Sequence, residues 1–489
     1  MSAATTDGAS NDRLAEARAK ANDLMERACI AAAVFQQYDQ EHVDRIVAAV
    51  CRAGFNQRVR LAKLACEETG LGVWQHKVVK NVLATQLVHE SIRREKTVGV
   101  LSDDEASGIV EIAQPMGPVL AIIPMTNPTS TVMFKILLCL KTRNPVVVSP
   151  TRKALKCCSE AARICYEAAL EAGAPEDCVQ WMTEASRELT HAAMSHKDLA
   201  LILATGGSGL VGAAYSSGTP AIGVGPGNVP VLVDASADFP FAVESILLSK
   251  TFDNGTICAS EQAIVLERSI APEVRREFER QGGYFLSPEE TARVQAVAVL
   301  PDSGSMNPAI VGQSVQTIAK MAGISPPPDA RVLLAPLAGV GPAFPLSGEV
   351  LAPILAWYEE PNFDAAAKRC IDLNYLGGVG HTAAIYSNDD ARTALFASLM
   401  NAGRVVVNTP SSQGAVGGTF NALPPSFTLG CGAGGKNITT ENVTARHLIN
   451  VKRCCRRRTN ERLARFDQSL FLDESLDYDA ISRQFNRNY

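Results

Sequence analysis

One thiol set just after a tight turn is the first place where this sequence could do covalent chemistry. In Phe252–Gln262, FDNGTICASEQ, an Asn-Gly turn signal precedes Cys258. A cysteine that opens a helix there gains thiolate character from the helix N-terminus. Its own backbone N–H can then hold an oxyanion formed by its attack. This reading predicts a nucleophile at Cys258 with a lowered pKa. Glu261 would ride on the emerging helix for packing or dipole compensation. The competing reading is one more buried cysteine among 13. A second feature is rich in glycine: Gly207-Ser208-Gly209-Leu210-Val211-Gly212 matches GxGxxG, and Asp234 follows about 22 residues on, near the usual ribose-binding offset. Such glycines let backbone amides approach a pyrophosphate. A nucleotide site and a helix-packing turn both remain open, and a further cluster, Gly223-Val224-Gly225-Pro226-Gly227, comes closely after.

The elements that must hold these residues alternate. VLAIIP (Val119–Pro124), NPVVVSP ending at Ser149-Pro150, and LALILATGG (Leu199–Gly207) are short apolar runs of strand type, and helical patterns separate them. AIVLER, AAIYS and VVVNTP continue the pattern beyond Asp234. Alternation of this kind predicts parallel sheets covered on both faces. From Asn11 to about Glu95 the apolar spacing is helical, through Leu14, Ala17, Ala21, Leu24 and Met25, then Val43, Ile46, Val47 and Val50. GIVEIAQPMGPV (Gly108–Val119) reads as a ribbon strand turning back.

Composition narrows the class. With 489 residues, 46% apolar and 20% charged, the chain is globular and long enough for two to three domains. The net charge of -5 gives no general pull toward nucleic acid, and the basic run Lys452–Arg458 lacks interleaved aromatics, so no nucleic-acid partner is expected. The odd, scattered cysteines argue for a reducing compartment. No CxxC or HExxH spacing occurs, so no metal is expected. The first apolar run, Ala28–Phe35, is too short for a bilayer, and the expected location is cytoplasmic, with no membrane partner.

FDNGTICASEQ resembles the nucleophile motif of the aldehyde dehydrogenase superfamily, with Cys258 at the catalytic position. IIPMTNPTS is similar to the segment supplying that family's oxyanion asparagine, here Asn127. SGEVLAPIL resembles the motif whose glutamate holds the nicotinamide ribose, here Glu349, and LATGGSGLVGAAYSSG resembles the cofactor-side helix turn. The matches keep family order over residues 12–458. Two departures are informative. Hydrolytic members carry a water-activating glutamate in Glu-Leu-Gly-Gly-Lys; here the stretch is AIGVGPGNVP, with Gly223 at about that place. Where many members have Lys-Pro, this chain has Ser149-Pro150 and then Arg152.

The missing base, with CASEQ, AAYSSG and VVNTPSSQG, makes the chain similar to the coenzyme A-acylating branch, in particular the aldehyde dehydrogenase half of bifunctional aldehyde-alcohol dehydrogenases. The resemblance implies an α/β fold of two Rossmann-type lobes with a β-ribbon oligomerisation element. Its expected division is 1–107 with 119–235 for cofactor binding, 236–438 for catalysis, 108–118 with 439–458 for the ribbon, and 459–489 as a C-terminal tail. It implies oxidation of a short aldehyde (acetaldehyde or propionaldehyde type) to acyl-CoA through a Cys258 thioester, with coenzyme A as co-substrate and NAD as cofactor, NADP left open. Catalytic roles fall to Cys258, Asn127 and His381; His381 could serve coenzyme A or a proton, or be structural. Cofactor contacts fall to Glu349, Ser149, Pro150, Arg152, Gly206, Gly207, Gly209, Gly223 and Gly225. A homodimer or homotetramer is expected, with microcompartment association a minor alternative. Rival readings are an acylating sulfoacetaldehyde dehydrogenase, a hydrolytic NAD(P)-dependent enzyme giving a free acid, and a non-catalytic protein on the same fold.

Overall fold

The structure, a computed structural model, describes residues 4–302 and 304–487, with side chains from Asp12 onward. Fifteen strands form three sheets among the described residues. Strands β1 (Gly99–Asp104) and β2 (Ile109–Pro115) make a hairpin. Strands β3 (Val119–Ile122), β4 (Val146–Ser149), β5 (Val179–Trp181), β6 (Leu201–Thr205) and β7 (Ala221–Val224) form a parallel sheet in the order β5-β4-β3-β6-β7. Strands β8 (Val229–Val233), β9 (Glu261–Glu267), β10 (Gly283–Phe285), β11 (Val332–Pro336), β12 (Ile354–Glu360), β13 (Gly380–Tyr386) and β14 (Ala402–Val407) form a second parallel sheet, ordered β10-β11-β12-β9-β8-β13-β14. The last strand, β15 (Ile449–Cys455), returns to pair antiparallel with β2.

Burial on both faces explains the strand sequences. All four residues of β3 and of β4 are buried, which requires unbroken Val/Ile/Leu/Ala runs, with Ser149 the lone polar end. The helix Pro128–Lys141 is buried along its whole length, so its apolar residues encircle it rather than forming one stripe. The first helix, Ala4–Phe35, packs Ala17, Ala21, Leu24 and Met25 into the five-stranded lobe, while Leu14, expected inside, is exposed.

Two expected boundaries move. The sheets part in Gly225–Asn228, between β7 and β8, rather than at 235: Val229–Val233 pairs with β9 and β13, so hydrogen bonding assigns it to the second lobe. The ribbon also takes in Gly99–Asp104 and has three strands. Asn144 pins its base, accepting from the Met116 and Gly117 amides and donating to the Leu448 carbonyl.

Candidate functional site

The Cys258 loop begins with a backbone feature rare outside glycine. Asp253, Asn254 and Gly255 all lie in the left-handed region, at φ +52°, +53° and +73°. Two non-glycine residues persist there because surrounding bonds fix them. The Asp253 amide donates to His76 Nδ1 at 2.8 Å, and Asn254 Nδ2 to the Gly312 carbonyl at 2.8 Å. A Cβ at Gly255 would stand 3.0 Å from the Ala352 carbonyl oxygen. Beyond Gly255 the chain makes a turn through Cys258 and enters strand β9, not a helix. No helix N-terminus therefore lowers the Cys258 pKa. Burial, with the Glu349 charge adding to it, pushes the thiol up to about 12. Glu261 opens the strand fully buried, accepting from the Ser411 amide at 2.8 Å; burial lifts its pKa to about 7.

Around the thiol, the second lobe supplies an imidazole. His381, the second residue of β13, is buried, and its Nε2 lies 3.2 Å from Cys258 Sγ. Its Nδ1 meets Thr382 Oγ1 at 2.9 Å. Burial, and secondarily the Arg404 charge, push its pKa down to about 3, so the ring is neutral at ordinary pH. Arg404 is itself buried and donates to the His381 and Thr440 carbonyls at 2.9 and 3.1 Å. Gly227 passes so close that a Cβ there would stand 2.3 Å from the Cys258 carbonyl oxygen and 3.1 Å from the His381 ring. Only glycine fits. The Gly227 amide donates to Glu349 Oε1 at 2.9 Å, and burial raises the Glu349 pKa to about 7. Cys258, His381 and Glu349 thus meet around one glycine.

Asn127 joins this group from the other lobe through a lysine. It is half-buried and caps the helix Pro128–Lys141, its carbonyl accepting from the Thr131 amide at 3.1 Å. Its Oδ1 accepts from Lys80 Nζ at 2.5 Å, and its Nδ2 donates to Thr126 Oγ1 at 3.1 Å. The same Lys80 ammonium reaches Asp253 Oδ2 at 2.5 Å and Thr256 Oγ1 at 2.9 Å, both in the Cys258 loop. Lys77 adds a second cation on Asp253 at 2.8 Å. Burial works against ionising Asp253, but the two ammonium groups outweigh it and hold its pKa below the usual range. Burial outweighs the pull of Asp253 at Lys80 and lowers its pKa to about 8.

The predicted cofactor residues divide. Ser149, Pro150, Arg152 and Gly209 line one cavity of about 630 Å³ at the carboxyl end of the five-stranded sheet, with Arg187 and His191. This is the crevice where open α/β sheets hold nucleotides. Gly206 and Gly207 do not line it; they join β6 to the helix Ser208–Tyr215, whose Gly209, Leu210 and Ala213 do. A Cβ at Gly207, Gly209 or Gly225 would meet nothing within 4 Å, so packing does not demand glycine there. Open backbone at a helix start fits a dinucleotide pyrophosphate. Gly223 does not share that role. Its amide and carbonyl are both bonded to Tyr215 Oη, and a Cβ there would meet Val211 at 2.7 Å, so it is a packing position. Asp234 sits in the second lobe, buried and ion-paired with Arg392, so the ribose assignment fails for it.

Lys77, Lys80 and Arg404 escaped the sequence reading, as did the parts played by Asp253 and Gly227. Two local signals were available: Asp253 lies inside the quoted FDNGTIC, and Lys77 and Lys80 share a helix face at i, i+3.

Residues 4–282 match the model of the aldehyde dehydrogenase family. The chain is 44% identical over 457 residues to the bifunctional aldehyde-alcohol dehydrogenase AdhE of Escherichia coli K12, covering 93% of this chain and 51% of that protein. It therefore spans about half the length of such relatives. The acetylating succinate-semialdehyde dehydrogenase of Clostridium kluyveri is 36% identical over 88% of this chain and 94% of its own length. Among solved structures, an acetylating aldehyde dehydrogenase from Geobacillus thermoglucosidasius superposes with a TM-score of 0.89 at 45% identity, covering 91% of this chain and 98% of that one. The fold around Cys258 and the match to more than half of the sequence agree, and the chain belongs to the aldehyde dehydrogenase family.

Proposed function

We propose that this chain oxidises a short aldehyde and delivers the acyl group to coenzyme A, with NAD or NADP as the oxidant. The balance is aldehyde plus coenzyme A thiol plus NAD(P)+ giving acyl-CoA, NAD(P)H and a proton. The observation that carries the reading is the neutral His381 Nε2 at 3.2 Å from Cys258 Sγ, with glycine at the place expected for a water-activating carboxylate.

A thiol with its pKa pushed up to about 12 needs a base at the moment of attack, and His381 is the group within hydrogen-bond reach. Cys258 Sγ bonds to the aldehyde carbon as His381 takes the thiol proton, and the carbonyl oxygen becomes an oxyanion. The Asn127 carboxamide and the Cys258 backbone N–H stabilise that charge. A nicotinamide dinucleotide, held by Ser149, Pro150, Arg152, Gly206, Gly207, Gly209, Gly225 and Glu349, supplies the hydride acceptor when bound. His381 releases the Cys258 proton to solvent, which is the proton of the overall balance. The neutral ring then takes the proton of the incoming coenzyme A thiol and returns it to Cys258 as the acyl group moves from one sulfur to the other. Exchange of one thioester for another is nearly balanced, so the reaction runs both ways.

The test compares NADH formation from acetaldehyde or propionaldehyde with and without coenzyme A. Acyl-CoA is the expected product, and turnover should be at least about tenfold faster with coenzyme A present, because the thiol is what deacylates Cys258. Equal rates with a free carboxylate product would defeat the acylating reading.

A further inference from the structure

We infer that Lys80 is a positioning residue that orients the Asn127 carboxamide and places positive charge behind it. This rests on the proposed role of Asn127 as oxyanion donor.

Three segments far apart in the chain meet at this ammonium. Lys80 lies on the helix Trp74–Val82, Asn127 at the start of the helix Pro128–Lys141, and Asp253 with Thr256 in the loop leading to Cys258. All are buried except Asn127, which is half-buried. An ammonium has three N–H donors and no acceptor. Lys80 has three acceptors within bonding distance: Asn127 Oδ1, Asp253 Oδ2 and Thr256 Oγ1. Thr256 in turn donates its hydroxyl to Asp253 Oδ2 at 2.8 Å, which leaves its lone pairs for Lys80.

The consequence for Asn127 is directional. An amide oxygen that accepts from Lys80 forces the NH2 group to the opposite side. One of those N–H bonds goes to Thr126 Oγ1, and the other is left for a substrate oxygen. Without Lys80, the amide could rotate by a half-turn and present oxygen to a developing negative charge. The charge count acts the same way. Asp253 carries one negative charge against the two cations Lys77 and Lys80, so the buried cluster is net positive. Buried charge of that sign, joined to the oxyanion donor by a hydrogen bond, strengthens the donor.

Lys77 provides the internal control. It binds Asp253 and the Thr126 carbonyl, at 2.8 and 3.1 Å, and makes no bond to the Asn127 side chain. Removing it disturbs the same buried ion cluster but leaves the Asn127–Lys80 bond in place.

A double-mutant cycle on pre-steady-state NADH formation, with acetaldehyde at saturation, separates the cases. Asn127→Ala should slow the step by about 10²–10³-fold. Lys80→Met should slow it by about 10–10²-fold, through a misplaced donor, with the KM for coenzyme A unchanged. The double variant should be no slower than Asn127→Ala, because Lys80 acts through Asn127. Lys77→Met should instead multiply with Asn127→Ala. If Lys80→Met does not accumulate folded, Lys80→Arg keeps a cation for Asp253, while its flat fork cannot reproduce three bonds from one nitrogen. The same shared loss is expected. Wild-type rates in the folded Lys80 variant, or losses that multiply with Asn127→Ala, would overturn the inference. An Asn127→Ala enzyme at wild-type rate would instead overturn the oxyanion assignment beneath it.

Discussion

The Cys258–His381 pair sits in surroundings that disfavour charge on either partner, and this sets the pH behaviour of the thiol. Burial drives the thiol up to about 12 and the imidazole down to about 3, so both are neutral between those limits. In the absence of substrate, alkylation by iodoacetamide requires the thiolate. Its rate at Cys258 should therefore climb about tenfold per pH unit from pH 7 to pH 10 without levelling near 8.5. Stopped-time labelling with mass spectrometry of the Cys258 peptide measures it. A plateau below pH 8 would show instead a thiolate–imidazolium pair. His381→Ala should leave that slope intact while slowing aldehyde oxidation by about 10²–10⁴-fold, the worth of a positioned base.

At the level of elements, the sequence misled where local pattern and long-range pairing competed. FDNGTICASEQ reads locally as a turn feeding a helix, yet Glu261–Glu267 pairs on both sides with β8 and β12. Pairing of a buried strand outweighed the helix signal. The same switch leaves Glu261 buried at a strand start, and its pKa of about 7 has a defined sign. The folded state keeps a proton that the unfolded glutamate releases near 4.5. Between pH 4.5 and 7 the folded state binds more protons, so the contribution of Glu261 to stability falls across that window and stays lost above it. Glu261→Gln should thus melt above the parent at pH 8, by on the order of 1–2 °C for a chain this long, with the gap closing toward pH 5. Differential scanning calorimetry at the two pH values decides it. An unchanged or widening gap at pH 5 would contradict the assigned sign.

Across the whole molecule, the three sheets were legible in outline and their borders were not. Apolar runs between glycines announced β3, β4, β6, β9, β13 and β14 one by one. Which sheet each strand joined depends on contacts that no local window holds, as with Val229–Val233. The lysine–aspartate cluster was hidden for the same reason, since Lys80 and Asp253 meet across 173 positions. The ribbon carries a further expectation. All of β15 except Ile449 is exposed, including Val451, and Val100 on β1 is exposed as well. An open edge strand is a ready template for pairing with another chain. Light scattering should give two or four times the chain mass, and Val451→Asp should lower it toward a single chain. A monomer in the parent protein would remove the ribbon from any role in assembly.

The left-handed turn before Cys258 also bears on chemical ageing. Asn-Gly is the dipeptide most prone to losing ammonia through attack of the following amide on the asparagine side chain. Asn254-Gly255 is that dipeptide, four residues from the thiol. Here the Asn254 side chain is tethered to Gly312, and its backbone is held at φ +53° beside a glycine packed on Ala352. Ring closure to the succinimide requires the side chain to swing away from that tether. Folding therefore acts as the preservative of this loop, and each excursion to a locally open state exposes it to slow, irreversible deamidation.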